Sequence, residues 1–386
     1  MLDSSLPPLR IKGKALLPIV QGGMGVGISA HRLAGHVARL NAVGTIASVD
    51  LRRLHPDLME KTDRKRDKGL INEANLVALD REVRAARDIA QGKGMVAVNV
   101  MRAVSEYASY VRRACDSGAE AIVMGAGLPL DLPDLVADHP QVALIPILSD
   151  SRGIALLLKK WRRKGRLPDA IVIEHPRYAG GHLGAARVEE MDDARFDFET
   201  VLPEARQVLR DMGVAHEEVP LIPAGGINSH EKVKRLFELG ASAVQLGTPF
   251  AVTEEGDAHE NFKRVLAEAK PEDIVTFVST AGLPARAVKT PWLATYLNRF
   301  ERLQAKAKGS RGCTLAWDCL IQCGFRDGIA KFGQFCIDNQ LAAALRGDVA
   351  RGLFFRGAEK LPFGAAIRPV RELIEYMLTG RMPRCA

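Results

Sequence analysis

The chain has 386 residues, 47% hydrophobic and 26% charged, with 35 Gly and 20 Pro, a globular composition that excludes a collagen-like or largely disordered protein. Its mean hydropathy of −0.03, with no apolar run near ~18 residues, gives no expectation of a membrane span. The net charge of +8 admits an acidic partner. The densest basic run, 159–166, closes a helical pattern where cations complement the helix dipole, and no RNP, helix-turn-helix or zinc-finger spacing accompanies it, so nucleic-acid binding is not expected. Residues 1–14 contain no apolar stretch of the kind that opens a secretory signal, and a cytoplasmic location is expected.

In chain order, short apolar runs read as strands over 18–23, 42–48, 95–101, 121–127, 143–150, 169–175, 220–226 and 243–249. Amphipathic patterns read as helices over 31–40, 76–91, 104–115, 154–164, 231–239 and 259–269. Near-continuous apolar strands separated by helices mean a parallel sheet covered on its faces. Eight such units in about 250 residues fit a closed (β/α)8 barrel of the TIM type; an open doubly wound sheet is the competing α/β arrangement. Two segments break the rhythm. Residues 50–75 are rich in charge and read as an exposed loop or lid. After about residue 255 the pattern turns mainly helical without clear strands. The expected division is a barrel over 8–255 and a helical substrate or lid domain over 256–365, with a last helix near 366–380 returning to the barrel.

Barrel enzymes carry their sites on the loops after the strands, and the unusual residues collect there. The first strand ends in Gln21-Gly22-Gly23-Met24-Gly25-Val26-Gly27, bare backbone against which a flat ligand can lie, without the G-x-G-x-x-G spacing of a dinucleotide fold. Asn99 closes the third strand, as a structural amide or as a ligand contact. The seventh strand runs into Gly225-Gly226 and then Asn228-Ser229-His230, a helix start; the eighth runs into Gln245-Leu246-Gly247-Thr248. Two such turns form a phosphate cradle of backbone N–H groups and a helix N-terminus, or simply turn the chain. The sixth strand leads through Glu174 and His175 to Ala179-Gly180-Gly181-His182-Leu183-Gly184, and histidine is the usual acid or base near neutral pH.

Together these segments resemble the nitronate monooxygenase family, formerly called 2-nitropropane dioxygenases. These are FMN-dependent barrels related to FMN-containing enoyl-ACP reductases and some NADH:quinone reductases. The resemblance runs from about residue 18 to 286, with A-G-G-H-x-G its most specific element. It implies a flavin phosphate at Gly225, Gly226, Gly247 and Thr248, and flavin ring contacts at Gly22, Gly23 and Met24. It further implies hydrogen bonds from Asn99 and Gln245, cofactor contacts at Gly180 and Gly181, and His182 as the catalytic group. The implied reaction is oxidative denitrification of an alkyl nitronate by O2. The alternative is an NAD(P)H-dependent reductase of an enoyl thioester or quinone, with NAD(P)H as co-substrate. A phosphate-binding barrel for another ligand and a non-catalytic scaffold are the further readings. A homodimer is compatible with the sequence. The approach Glu174-His175-Pro176-Arg177-Tyr178 is one residue longer and bulkier than the family's usual one, which bears on the substrate pocket.

Cys115 and Cys385 stand alone, whereas Cys313-x5-Cys319-x3-Cys323-x12-Cys336 brings four thiols close in sequence. Without a C-x2-C pair the pattern is not diagnostic. Buried unreactive thiols are the reading adopted, with no metal site; a metal or iron–sulfur site and redox chemistry are the alternatives.

Overall fold

The computed structural model describes residues 2, 4–63, 67–308, 313 and 319–383; Cys385 and part of the charged run after residue 60 lie outside them. The chain opens with an antiparallel hairpin, β1 (Leu9–Ile11) and β2 (Lys14–Leu16). The barrel follows with β3 (Ile19–Gln21), β4 (Val43–Ala47), β5 (Met95–Met101), β6 (Ala121–Gly125), β7 (Ala143–Leu148) and β8 (Ile171–Glu174). It closes with β10 (Leu221–Ala224) and β11 (Val244–Leu246), after the two-residue strand β9 (Gly181–His182) in the loop that follows β8. All eight barrel strands are parallel and close in the order β10-β11-β3-β4-β5-β6-β7-β8. This is the (β/α)8 barrel, and each strand falls within its expected range.

Alternation of side chains explains why these strands read as continuous apolar runs. Val20, Val43, Ala97, Val123, Ile145, Val172 and Ile222 fill the barrel interior, where Leu9, Ile11 and Leu16 of the hairpin join them. Their neighbours Ile19, Ile46, Val96, Val98, Ile122 and Ile171 face outward into the layer shared with the helices. Gly44 permits the closest of these contacts: a Cβ there would lie 1.9 Å from the Ala34 carbonyl oxygen, on the helix α1 (His31–Arg39).

The segment after residue 50 is not a loop. A 3-10 turn (Leu51–Leu54), a helix (Pro56–Thr62) and the long α2 (Lys68–Ala90) occupy it, and Asp50, Arg52 and Asn75 are buried. The charges pair inward: Arg52 Nε lies 2.9 Å from Asp50 Oδ1, Arg53 bridges Asp50 and Asp338, and His31 and His55 both bond Glu82. A charge-rich stretch reads as solvated only while its partners are out of view.

The distal part also departs from the helical expectation. Strands β12 (Ile274–Val278) and β13 (Pro284–Val288) form a hairpin, and β13 pairs with β9 to give an antiparallel sheet in the order β12-β13-β9. The β-branched run Ile-Val-Thr-Phe-Val carried that signal in the sequence. Helix α3 (Ile337–Leu345) follows, and the last helix, α4 (Val370–Thr379), buries Val370, Leu373, Ile374, Met377 and Leu378 in the outer layer of the barrel.

Candidate active site

A cavity of about 270 Å3 opens at the C-terminal ends of the barrel strands. Its lining contains Gly22, Gly23 and Met24 after β3, Asn99 on β5, Gly180, Gly181 and His182 around β9, Gly225 and Gly226 after β10, Gln245 on β11, and Gly247 and Thr248 beyond it. Every site residue expected from the sequence is thus brought to one place. The distal part covers the opening with Leu341, Leu353, Phe355, Gly357 and Lys360.

Local geometry shapes this cavity. The loop after β3 lies directly on two amides: a Cβ at Gly23 would come within 2.3 Å of the Asn99 Cβ, and one at Gly22 within 3.2 Å of the Gln245 Nε2. Asn99 Nδ2 donates to the Val123 carbonyl at 3.3 Å. Gln245 Oε1 is buried and accepts no hydrogen bond from a described residue, an acceptor awaiting a donor from a bound molecule. On the other side, Gly225 and Gly226 turn the chain with φ of 103° and 73°. The Thr248 hydroxyl oxygen accepts from the Gly357 N–H at 3.0 Å, which leaves its own O–H free to donate. A polar amide edge, bare glycine backbone and a glycine-lined turn pair with a hydroxyl fit a flavin mononucleotide: ring edge, ring face and phosphate.

His182 stands between these parts. Its backbone is fixed by pairing with Ala285 of β13, and its Nε2 lies 3.0 Å from the Ser279 Oγ. The Phe355 ring packs 5.7 Å from the imidazole, centroid to centroid. Burial lowers its pKa to about 4, so the ring is neutral near pH 7. Glu174, the last residue of β8, also lines the cavity. Burial raises its carboxyl to about 7, although the cavity leaves the side chain partly exposed. Its neighbour His175 is turned away: buried against Tyr178 and Phe198, it bonds Asp197 at 3.2 Å and serves the fold. The loop between Glu174 and His182 is held by Arg286, whose buried guanidinium donates to the carbonyls of Pro176 and Ala179.

A sequence profile described as nitronate monooxygenase matches residues 9–379. The chain belongs to the nitronate monooxygenase family. A probable nitronate monooxygenase of Bacillus subtilis is 28% identical over 290 residues, covering 72% of this chain and 77% of its own. A nitronate monooxygenase of Pseudomonas aeruginosa is 31% identical over a shorter stretch, 31% of each chain. Among solved structures, FabK from Thermotoga maritima superposes with a TM-score of 0.60 at 22% identity, covering 94% of this chain and 91% of its own. A nitroalkane oxidase from Streptomyces ansochromogenes superposes with the same score at 19% identity, covering 93% and 94%. At these identities the structural likeness speaks for the fold.

Membership of the nitronate monooxygenase family makes the chain an oxidoreductase. Within that family frame, the residues hidden from sequence reading are those that reach the site from far along the chain. Ser279 meets His182 across 97 positions, and Gly357 meets Thr248 across 109. No local motif marks either; only the strand signal at 274–278 hinted that an element there could pair with the A-G-G-H loop.

Proposed function

We propose that this protein binds FMN in the barrel cavity and oxidises small alkyl nitronates with O2, releasing nitrite and a carbonyl product. The observation that carries the reading is His182: a neutral imidazole, anchored by Ser279, facing an apolar cavity beside the bare Gly22-Gly23 backbone and the Asn99 and Gln245 amides. Asn99 and Gln245 would hold the polar edge of the flavin, Gly22, Gly23 and Met24 its ring face. Gly180, Gly225, Gly226, Gly247 and Thr248 would hold the phosphate.

When bound, FMN supplies the two-electron acceptor for carbon–nitrogen chemistry. The chain's own residues do the rest. Met24, Phe355, Leu341 and Leu353 offer an apolar wall that favours a short alkyl group and excludes water. A neutral His182 offers a ring N–H toward the nitro oxygens or takes up a proton, according to its tautomer. Glu174, uncharged below pH 7, leaves the cavity open to an anion.

The test is oxygen uptake by the yellow, FMN-loaded protein with propyl nitronate in air, without NAD(P)H. Rapid uptake with release of nitrite supports the reading. Uptake that appears only on adding NAD(P)H moves the activity to a reductase of an enoyl thioester or quinone. A protein that takes up no FMN overturns both.

A further inference from the structure

We infer that residues 356–360 of the distal part form the outer wall of the cofactor's phosphate site, and that Lys360 is the cation by which the site selects FMN over phosphate-free riboflavin. The inference rests on the FMN reading and adds to it a residue far along the chain from the glycine turns.

The segment is a strap tied to three barrel loops at once. Its start is fixed by the buried Arg356, whose Nε donates to the Leu266 carbonyl at 2.8 Å and whose Nη1 donates to the carbonyls of Gly357 and Glu359 at 2.8 and 3.2 Å. The Gly357 N–H donates to the Thr248 hydroxyl, beyond β11, at 3.0 Å. The Ala358 N–H donates to the Tyr178 carbonyl, in the loop after β8, at 3.1 Å. The Lys360 carbonyl accepts from Asn228 Nδ2, in the loop after β10, at 2.9 Å. The crossing is close enough to require glycine on both sides. A Cβ at Gly180 would lie 2.5 Å from the Gly357 nitrogen, and one at Gly357 would lie 2.9 Å from the Tyr178 carbonyl oxygen. The backbone that carries Lys360 is therefore held at the rim of the two glycine turns assigned to the phosphate.

Charge then singles out the side chain. A phosphate monoester carries about −1.5 to −2 near pH 7. The glycine turns and the Thr248 hydroxyl offer it hydrogen bonds but no net charge. Of the described residues that line the cavity, Lys360 alone is a cation, since His182 is neutral and Glu174 and Glu359 are acids. Glu359 already has its partners: Lys232 Nζ lies 3.0 Å from its Oε2, and Asn228 Nδ2 lies 3.5 Å from the same oxygen. Lys232 also donates to the Gly226 carbonyl at 2.9 Å, so the pair is locked to the turn and its charges cancel. Lys360 is exposed at the cavity mouth, and its ammonium makes no hydrogen bond or ion pair with a described residue. A flexible stem with an uncommitted ammonium beside a neutral anion cradle supplies the missing charge.

The experiment strips the full chain of flavin and titrates it with FMN and with riboflavin, following flavin fluorescence at two ionic strengths. The native chain should bind FMN at least 100-fold more tightly than riboflavin. Lys360→Gln should weaken FMN about tenfold at low salt, less at high salt, and leave riboflavin unchanged, which also reports that the variant has folded. Lys360→Arg should restore FMN affinity. Lys234→Gln removes the same charge from an exposed position that does not line the cavity, and should change neither affinity. Unchanged FMN affinity in Lys360→Gln would make Lys360 an ordinary solvated lysine and overturn the inference alone. An equal loss for FMN and riboflavin overturns it too, because the side chain would then only hold the strap. A native chain that binds neither flavin overturns the FMN reading itself.

Discussion

Replacing Glu174 by Gln tests the electrostatics of the cavity most directly. The side chain keeps its size and loses its ability to ionise. In the native protein burial raises the carboxyl from its ordinary 4.5 to about 7, which corresponds to about 3 kcal/mol in favour of the neutral acid. No hydrogen bond or ion pair from a described residue holds its charged form. The group is therefore about nine-tenths neutral at pH 6 and about nine-tenths ionised at pH 8. A nitronate is an anion. A carboxylate about 6 Å from it, at an effective dielectric of about 20, repels it by about 3 kcal/mol, or about 100-fold in kcat/KM. With a preformed nitronate, kcat/KM of the native enzyme should be level below pH 6.5 and fall about tenfold per pH unit above 7 until the repulsion saturates. Glu174→Gln should stay level to pH 8.5. Oxygen-electrode rates at subsaturating nitronate, at constant ionic strength, measure both profiles. A native profile flat through pH 8.5, or a descending limb that survives in Glu174→Gln, refutes the reasoning.

The other predictions concern the parts around that carboxyl. His182→Ala should lower turnover by about 10²- to 10⁴-fold while FMN absorbance per chain stays unchanged, read by steady-state kinetics and by the visible spectrum. Ser279→Ala removes only the 3.0 Å contact to Nε2, and a loss near fivefold in kcat is expected, about 1 kcal/mol; a loss as large as that of His182→Ala would assign Ser279 a direct role. Gly226→Asp sets a Cβ 2.8 Å from the Tyr178 ring at φ 73° and brings a negative charge to the phosphate turn, so FMN affinity measured by flavin fluorescence should fall by at least tenfold. Arg286→Met leaves the buried carbonyls of Pro176 and Ala179 without their donor, and chemical denaturation should show a loss of about 2–5 kcal/mol.

The barrel was legible because its rule is local: one residue in, one out, in eight runs too apolar for any exposed strand. The glycine turns were legible for the same reason, since each serves its own loop. What escaped was pairing at a distance. Residues 50–75 read as solvated because the stretch is rich in charge, and nothing nearby in sequence reveals that Asp338 awaits Arg53 or that Glu82 awaits His55. His175 and His182 looked alike in one loop. The fold separates them by pairing one with Asp197 behind the strand and the other with Ser279 before the cavity. Both cases have the same physical cause. A buried charge or ring nitrogen needs a partner, and the partner that satisfies it is chosen by the folded surface rather than by neighbours along the chain. The distal part therefore helps to shape a site whose motif glycines, from Gly22 to Gly247, belong to the barrel and its loops. It supplies the strand that aligns His182, the hydroxyl that holds its nitrogen and the N–H that engages Thr248.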